Sequence, residues 1–418
     1  MWHTGIMGAM AYVVRLLDGV IPGLLSEVSA LFIAGPRATG KTTTAMRYAR
    51  TVVRLDREAE AVAFRADPDA ALRGLREPIL LDEWQLVPDI LGAVKRAVDR
   101  DPGPGRYVIT GSVRSEVSGT LWPGTGRLVR LTMHGLTVRE RLGRTSQRSF
   151  LDRVTNGHAL DPAPATPDLR GYVELALRSG FPDAALRLGE ISRRRWLESY
   201  VEHLLARDVS QLDPGRDPAR LRRYFEALAL NTAGVVDDTT LYQAAGIDRR
   251  TAISYERLLE DLLAIERVPA WSSNRLKRLV LSPKRYLTDP ALAGAILGMD
   301  TNAIIRDGNM LGRILDSFVA AQLRPEIAVA GGRPRLHHLR QQQGRLEVDL
   351  LLERSREQVV GVEVKADAAP RRDSARHLLR LRDSLGAAFL AGVVLHTGPR
   401  AYALDDRITA APISALWA

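Results

Sequence analysis

The stretch Val28–Thr42, VSALFIAGPRATGKT, decides the fold of the first part of the chain. It opens with an apolar run up to Ala34 and continues into GPRATGKT, which fits G-x-x-x-x-G-K-[ST]. The following TTTAMRYARTVV reads as a helix. Strand, glycine loop and helix in that order make a phosphate-binding loop. Gly35 and Gly40 let the backbone turn so that its N–H groups face phosphate oxygens. Pro36, Arg37, Ala38, Thr39 and Thr43 complete the expected cradle. Lys41 supplies a compact positive charge to the outer phosphates, and the Thr42 hydroxyl ligates Mg²⁺. The expected ligands are therefore ATP or ADP with Mg²⁺.

Working outward, ILLDE (Ile79–Glu83) is a second buried strand ending in two carboxylates. Asp82 is expected to hold Mg²⁺ and Glu83 to polarise the attacking water. RYVITGS (Arg106–Ser112) is a third strand, whose Thr110, or else Ser112, senses the terminal phosphate. Arg127 is the first choice for an arginine finger reaching in from a neighbouring subunit, with Arg130 and Arg139 behind it. Short apolar runs separated by helices predict a parallel sheet covered on both faces.

Composition bounds the rest. The chain has 418 residues, 45% hydrophobic and 26% charged, as expected of a folded chain with several cores. There is no Cys, which excludes disulfides, thiolate metal sites and a Cys nucleophile. No apolar run is long enough for a membrane span, and the expected location is cytoplasmic. The net charge of +10 makes DNA or RNA a reasonable acidic partner. Only five of the 59 basic residues are Lys: Lys41, Lys95, Lys277, Lys284 and Lys365. In so Arg-rich a chain each Lys invites a reason, because Arg cannot replace a compact ammonium.

The expected boundaries are a phosphate-loop domain over 1–155, a linker and helical segment over 156–215, a winged helix over 216–300 and a C-terminal α/β domain over 301–418. LYQAAGIDRRTAISYERLLEDLLAIERV (Leu241–Val268) reads as helix–turn–helix, with Gly246 in the turn and Asp248 as N-cap. Trp271–Asp289 is expected to form the two-stranded wing. Arg249, Arg250, Lys277, Arg278 and Lys284 are the basic candidates for phosphate contacts. Ala219–Pro290 holds 12 basic and 9 acidic residues, a weak excess that suits a protein partner equally well.

Near the end, RLEVDLLLERSREQVVGVEVKAD predicts a hairpin bringing Asp349 beside Glu363 and Lys365. Period-2 alternation puts Glu363 and Lys365 on one face. Two carboxylates and an ammonium inside apolar strands suit a Mg²⁺-assisted phosphodiester cleavage site, and Asp316 on the preceding helix offers a third carboxylate. A solvated sheet face is the alternative.

These segments in this order resemble a bacterial family of AAA-type ATPases. Its members join a P-loop domain to a winged helix and a PD-(D/E)XK nuclease-like region of unknown function. GPRATGKTT, ILLDEWQLVPDIL, ITGS, LTMHGLTVRE, SGFPDA, LLARDV, PKRYLTDPAL, LEVDLLL and VEVK carry the resemblance. Trp84, Ala206 and Asp316 depart from its usual residues. The resemblance implies an α/β fold class: an AAA-like parallel sheet, a mainly helical middle and a restriction-endonuclease-like C-terminal domain. It implies ATP binding and hydrolysis and supplies no agreed substrate; the phosphate loop, the helix–turn–helix and the carboxylate–lysine cluster together make action on, or regulation by, nucleic acid the first expectation. The competing expectation is a nucleotide-gated switch that binds a protein partner and carries an inert nuclease-like fold. A homo-oligomer is expected if the arginine finger acts between subunits.

Overall fold

The computed structural model describes residues 11–112, 126–208, 217–274, 278, 281–332, 334–341, 346–354 and 358–418. Five strands build the first sheet: β1 (Ala30–Ala34), β2 (Thr51–Arg54), β3 (Ile79–Asp82), β4 (Tyr107–Gly111) and β5 (Leu128–Thr132). They run parallel in the order β2-β3-β4-β1-β5. Alternate residues serve opposite faces. Leu31, Ile33, Leu80, Val108 and Leu131 enter one core, while Ala30, Ile79, Leu81, Tyr107 and Ile109 enter the other. The continuous apolar runs are thus explained by burial on both sides. Because β4 lies between β1 and β3, its end stands beside both the glycine loop and Asp82.

One element differs from expectation. The helix after the loop spans only Lys41–Ala45, with a 3-10 turn at Met46–Tyr48. The final Thr51, Val52 and Val53 of the expected helix form β2 instead. Three consecutive β-branched residues favour that outcome.

The middle of the chain is helical: Leu169–Leu177, Pro182–Arg187, Glu190–His203, Pro218–Leu230, Asp238–Ala244 and Arg249–Asp261. Gly246 adopts φ +64° in the turn, and the Asp248 side chain caps the last helix through Thr251 N–H. Asp261 ends that helix, and Leu263 follows at φ +56°. The chain then enters β6 (Ile265–Val268), which pairs antiparallel with β7 (Lys284–Leu287). Among the described residues of Trp271–Asp289, the strand paired there is β7, and its partner β6 lies in the segment read as the end of a helix.

The C-terminal region opens with the long helix Gly308–Val329. Its six strands are β8 (Arg335–Gln341), β9 (Leu346–Glu353), β10 (Val359–Lys365), β11 (Phe389–His396), β12 (Tyr402–Asp405) and β13 (Ile408–Pro412). The order is β12-β13-β11-β10-β9-β8, antiparallel from β8 to β10 and parallel across β10, β11 and β13. Leu350, Leu352, Val360 and Val362 face the long helix and share one core with the middle helices. Val348, Leu351, Val359 and Val394 face the helix Arg376–Leu385. Among the described residues, no helix is long and apolar enough to cross a membrane.

Candidate functional site

The glycine loop leaves the C-terminal end of β1. Gly35 is required by a close approach: a Cβ there would lie 2.2 Å from the Met133 carbonyl oxygen. Gly40 is required by its backbone, at φ +88°. Ala38 is also left-handed, at φ +60°, a conformation costing a non-glycine residue about 1–2 kcal/mol. Local strain of this kind collects where a backbone is shaped for a ligand. Pro36 and Thr39 are buried, Arg37 is half-buried, and Thr43 is exposed. Both Thr39 Oγ1 and Lys41 Nζ donate to the Pro36 carbonyl at 2.8 Å. Lys41 is 4% exposed, and burial pushes its ammonium down to about 8 from 10.5 against the pull of Glu83 and Asp82.

Asp82 ends β3 directly across from the loop. Thr42 Oγ1 donates to Asp82 Oδ1 at 2.8 Å, and the Thr110 hydroxyl donates to the same oxygen. The three residues, given separate roles in the sequence, meet at one oxygen, and Thr110 is fully buried. Glu83 turns away from the strand at φ +56°. Its carboxylate accepts from the Gln85 amide, and Ser112 Oγ lies 3.3 Å from Glu83 Oε1. Gly111 leaves room for Trp84, whose Nε1 would lie 2.5 Å from a Cβ there. The oxygens of Thr42 and Asp82 are the hard donors that Mg²⁺ takes. That fit rests on side chains already aligned.

The arginine candidates fare differently. Arg127 precedes β5, whose Leu128 pairs with Ala30 at the start of β1. It therefore sits at the opposite end of the sheet from the loop, paired with Asp99. Within one subunit it is no finger. Arg130 lies over the Phe32 ring, 5.6 Å from its centroid. Arg139 is buried and bonded to Glu326 of the long helix at 2.7 Å, so it joins two regions instead of waiting for phosphate.

Two residues that matter to the loop were not singled out in the sequence. Arg15 donates to the Thr39 carbonyl at 2.9 Å and the His134 carbonyl at 2.7 Å, and pairs with Glu140 at 3.1 Å. Glu140 also accepts the Thr137 N–H at 2.8 Å, completing a reciprocal cap. The T-x-x-E spacing at Thr137–Glu140 is the signal that marks that helix start. Nothing local to Arg15 points to its partner 125 residues away.

Two of the five basic candidates of the middle region are committed to partners within the chain. Arg278 is bonded to Glu353 at 2.7 and 2.8 Å, and Lys284 is 3% exposed. Neither can meet a nucleic-acid backbone, which corrects two of the five expected contacts. Arg249 and Arg250 are exposed at the start of their helix, and Lys277 lies outside the described residues.

At the C-terminal cluster, β9 and β10 form the expected hairpin. Asp349 Oδ2 accepts the Val364 N–H at 2.9 Å, and Lys365 Nζ donates to Glu363 Oε2 at 2.8 Å. Lys284 enters from β7, 2.5 Å from Asp316 Oδ2 and 3.5 Å from Asp349 Oδ1. Tyr286 donates to Asp316 Oδ1 at 3.0 Å. Burial, helped by Asp349, pushes Glu363 up to about 8. Burial likewise raises Asp316 to about 6 against Lys284. At Asp349 burial is outweighed by Lys284 and Lys365, and its carboxyl is held below the usual range. Among the described residues, no three His, Cys, Asp or Glu side chains come together to hold a metal ion. A shared ligand set of Asp316, Asp349 and Glu363 is therefore not what the chain presents. Lys284 lies between the first two.

Residues 27–142 match the family model of an AAA domain. Residues 169–303 and 311–416 match two domains of unknown function, DUF8612 and DUF4143. Uncharacterized proteins of Mycobacterium bovis and Mycobacterium tuberculosis are each 29% identical over 392 residues, 93% of this chain and 81% of theirs. The Walker-type ATPase PABY2304 of Pyrococcus abyssi overlaps 69% of this chain and 99% of its own, at 13% identity and a TM-score of 0.41. The loop geometry and the AAA match together support a nucleotide-binding P-loop ATPase domain of AAA type over residues 27–142.

Proposed function

We propose that the chain binds ATP with Mg²⁺ at the loop Gly35–Thr43 and hydrolyses it. One observation carries the reading: two hydroxyls from separate elements, Thr42 and Thr110, converge on one Asp82 oxygen beside Lys41. In this reading Lys41 replaces its bond to the Pro36 carbonyl with one to phosphate. Thr42 and Asp82 would hold Mg²⁺, and the ion would supply positive charge against the phosphate oxygens. Glu83 accepts a proton from the attacking water, and Gln85 and Ser112 aim its carboxylate. The test is paired. Lys41→Ala should abolish ATP binding. Glu83→Gln should keep binding and slow turnover by about 10²–10⁴-fold, the usual contribution of a general base. Unchanged turnover in Glu83→Gln overturns the assignment.

For the remaining regions, the occupied carboxylate cluster favours a nucleotide-gated switch over a nuclease. In this reading the helices Pro218–Leu230, Asp238–Ala244 and Arg249–Asp261, with the β6–β7 hairpin, act as a winged helix facing a protein partner. DNA or RNA remains the competing occupant through Arg249 and Arg250. Pull-downs of a partner in ATP and in ADP should differ. Binding of duplex DNA at low salt, lost in Arg249→Ala with Arg250→Ala, would decide for nucleic acid.

A further inference from the structure

Lys284 has no part in the phosphate site, yet it is among the most enclosed charges of the chain. Its ammonium has three N–H donors. Three oxygens stand near it: Asp316 Oδ2 at 2.5 Å, the Asp349 carbonyl at 3.3 Å and Asp349 Oδ1 at 3.5 Å. Hard oxygens in that number are what Mg²⁺ or Mn²⁺ would recruit. The other oxygens of the same carboxylates are also engaged. Tyr286 donates to Asp316 Oδ1, and the Val364 N–H donates to Asp349 Oδ2. Lys365 holds Glu363 Oε2. Glu363 Oε1 alone makes no hydrogen bond among the described residues. One carboxylate oxygen is too few to hold a divalent ion, which takes about six donors and draws on water for those the protein does not supply.

We infer that Lys284 is the resident cation of this cluster, and that the cluster is a latch in place of a metal centre. The inference rests on the reading of the C-terminal region as an inert fold under nucleotide control. The ammonium belongs to the β6–β7 hairpin, while the carboxylates belong to the helix Gly308–Val329 and to β9. The ion pairs therefore cross from the region matched at 169–303 to the region matched at 311–416. Without the lysine, Asp316 and Asp349 would lose the cation that lies against both, and uncompensated buried charge is strongly unfavourable. The hairpin is thus held until another cation takes the same place. Removing the ammonium alone should turn the latch into a cation site.

The test is Mn²⁺ titration of the full chain without nucleotide, with free Mn²⁺ read by electron paramagnetic resonance. Asp82→Asn serves as the parent, to silence metal binding at the phosphate loop. The parent should bind no Mn²⁺ at the cluster, so that adding Asp349→Asn leaves its titration unchanged. Adding Lys284→Met should create one bound equivalent, and Asp349→Asn on top should remove it. Mn²⁺ bound by the parent and lost with Asp349→Asn or Glu363→Gln overturns the inference, whether or not the lysine variant folds. A folded Lys284→Met that binds no more Mn²⁺ than the parent overturns it as well. ATP turnover with Asp82 intact reads the phosphate-site proposal separately, so the two can fail independently.

Discussion

Two buried lysines, each beside two carboxylates, are put to opposite uses. Lys41 donates to a carbonyl of its own loop, while Asp82 accepts from hydroxyls. Among the described residues the Lys41 ammonium has no direct carboxylate partner, and burial lowers its proton affinity. Lys284 lies directly against Asp316, which raises its proton affinity well above the usual value despite full burial. The first arrangement is prepared for an external anion. The second is satisfied internally. Residue types alone do not distinguish a ligand site from a structural ion pair; what distinguishes them is whether the charges already face one another.

The sharpest break of this comparison is to remove each ammonium with a side chain of similar length. Lys284→Met should lower unfolding free energy by about 3–5 kcal/mol, because it leaves buried carboxylates uncompensated. Lys41→Met should cost about 1 kcal/mol or less, since Pro36 keeps the Thr39 hydroxyl and one net hydrogen bond is lost. It should still abolish nucleotide binding. Chemical denaturation of both variants without ATP checks the contrast, and equal losses would erase it.

The same contrast explains what could be read in the sequence. The phosphate site was legible because its cradle is contiguous, and Asp82 and Thr110 close apolar strands that the parallel sheet sets side by side. The role of Gly35 was only half legible, since the Met133 carbonyl that excludes a side chain arrives from another strand. Lys284 stood out by rarity alone. Its partners are 32 and 65 residues away on other elements, so no spacing rule reaches them. The hairpin strand β6 was hidden because the apolar Leu258, Leu259, Leu262 and Leu263 extend the helical pattern to its edge. The stop comes from Leu263 in a left-handed conformation, for which leucine gives no signal.

A smaller effect reports on the Lys284 charge from outside the cluster. His338 on β8 is 2% exposed, with Nε2 3.1 Å from the Ser282 carbonyl. Burial first, then Lys284, push it down to about 4 from 6.5, with His337 and Arg340 acting in the same sense and the Ser282 carbonyl opposing. The unfolded chain therefore takes up this proton before the folded one. The stabilising difference is complete above pH 6.5 and is lost as the pH falls towards 4. Its span is about 3 kcal/mol. His338→Gln should lose that much less stability than the parent chain between pH 7 and 4, as read by denaturation at both pH values. Identical pH slopes would show that His338 does not carry the effect. In Lys284→Met the contribution from His338 should shrink.

The least effect is expected at Arg127, and it sharpens the comparison from the phosphate side. Its pair with Asp99 is 41% and 38% exposed, a setting in which ion pairs contribute about 0–1 kcal/mol. Five residues of strand, about 16 Å, separate its end of the sheet from the end that carries the loop. Arg127→Ala should therefore leave stability within about 1 kcal/mol and leave ATP turnover per subunit unchanged across protein concentrations. A loss of turnover restored by mixing with Lys41→Ala subunits would show the opposite. The arginine would then act on a neighbour's phosphate, and the site within one chain would be incomplete. Without such rescue, the anion-ready charge of the phosphate site consists of Lys41 and the loop that holds it.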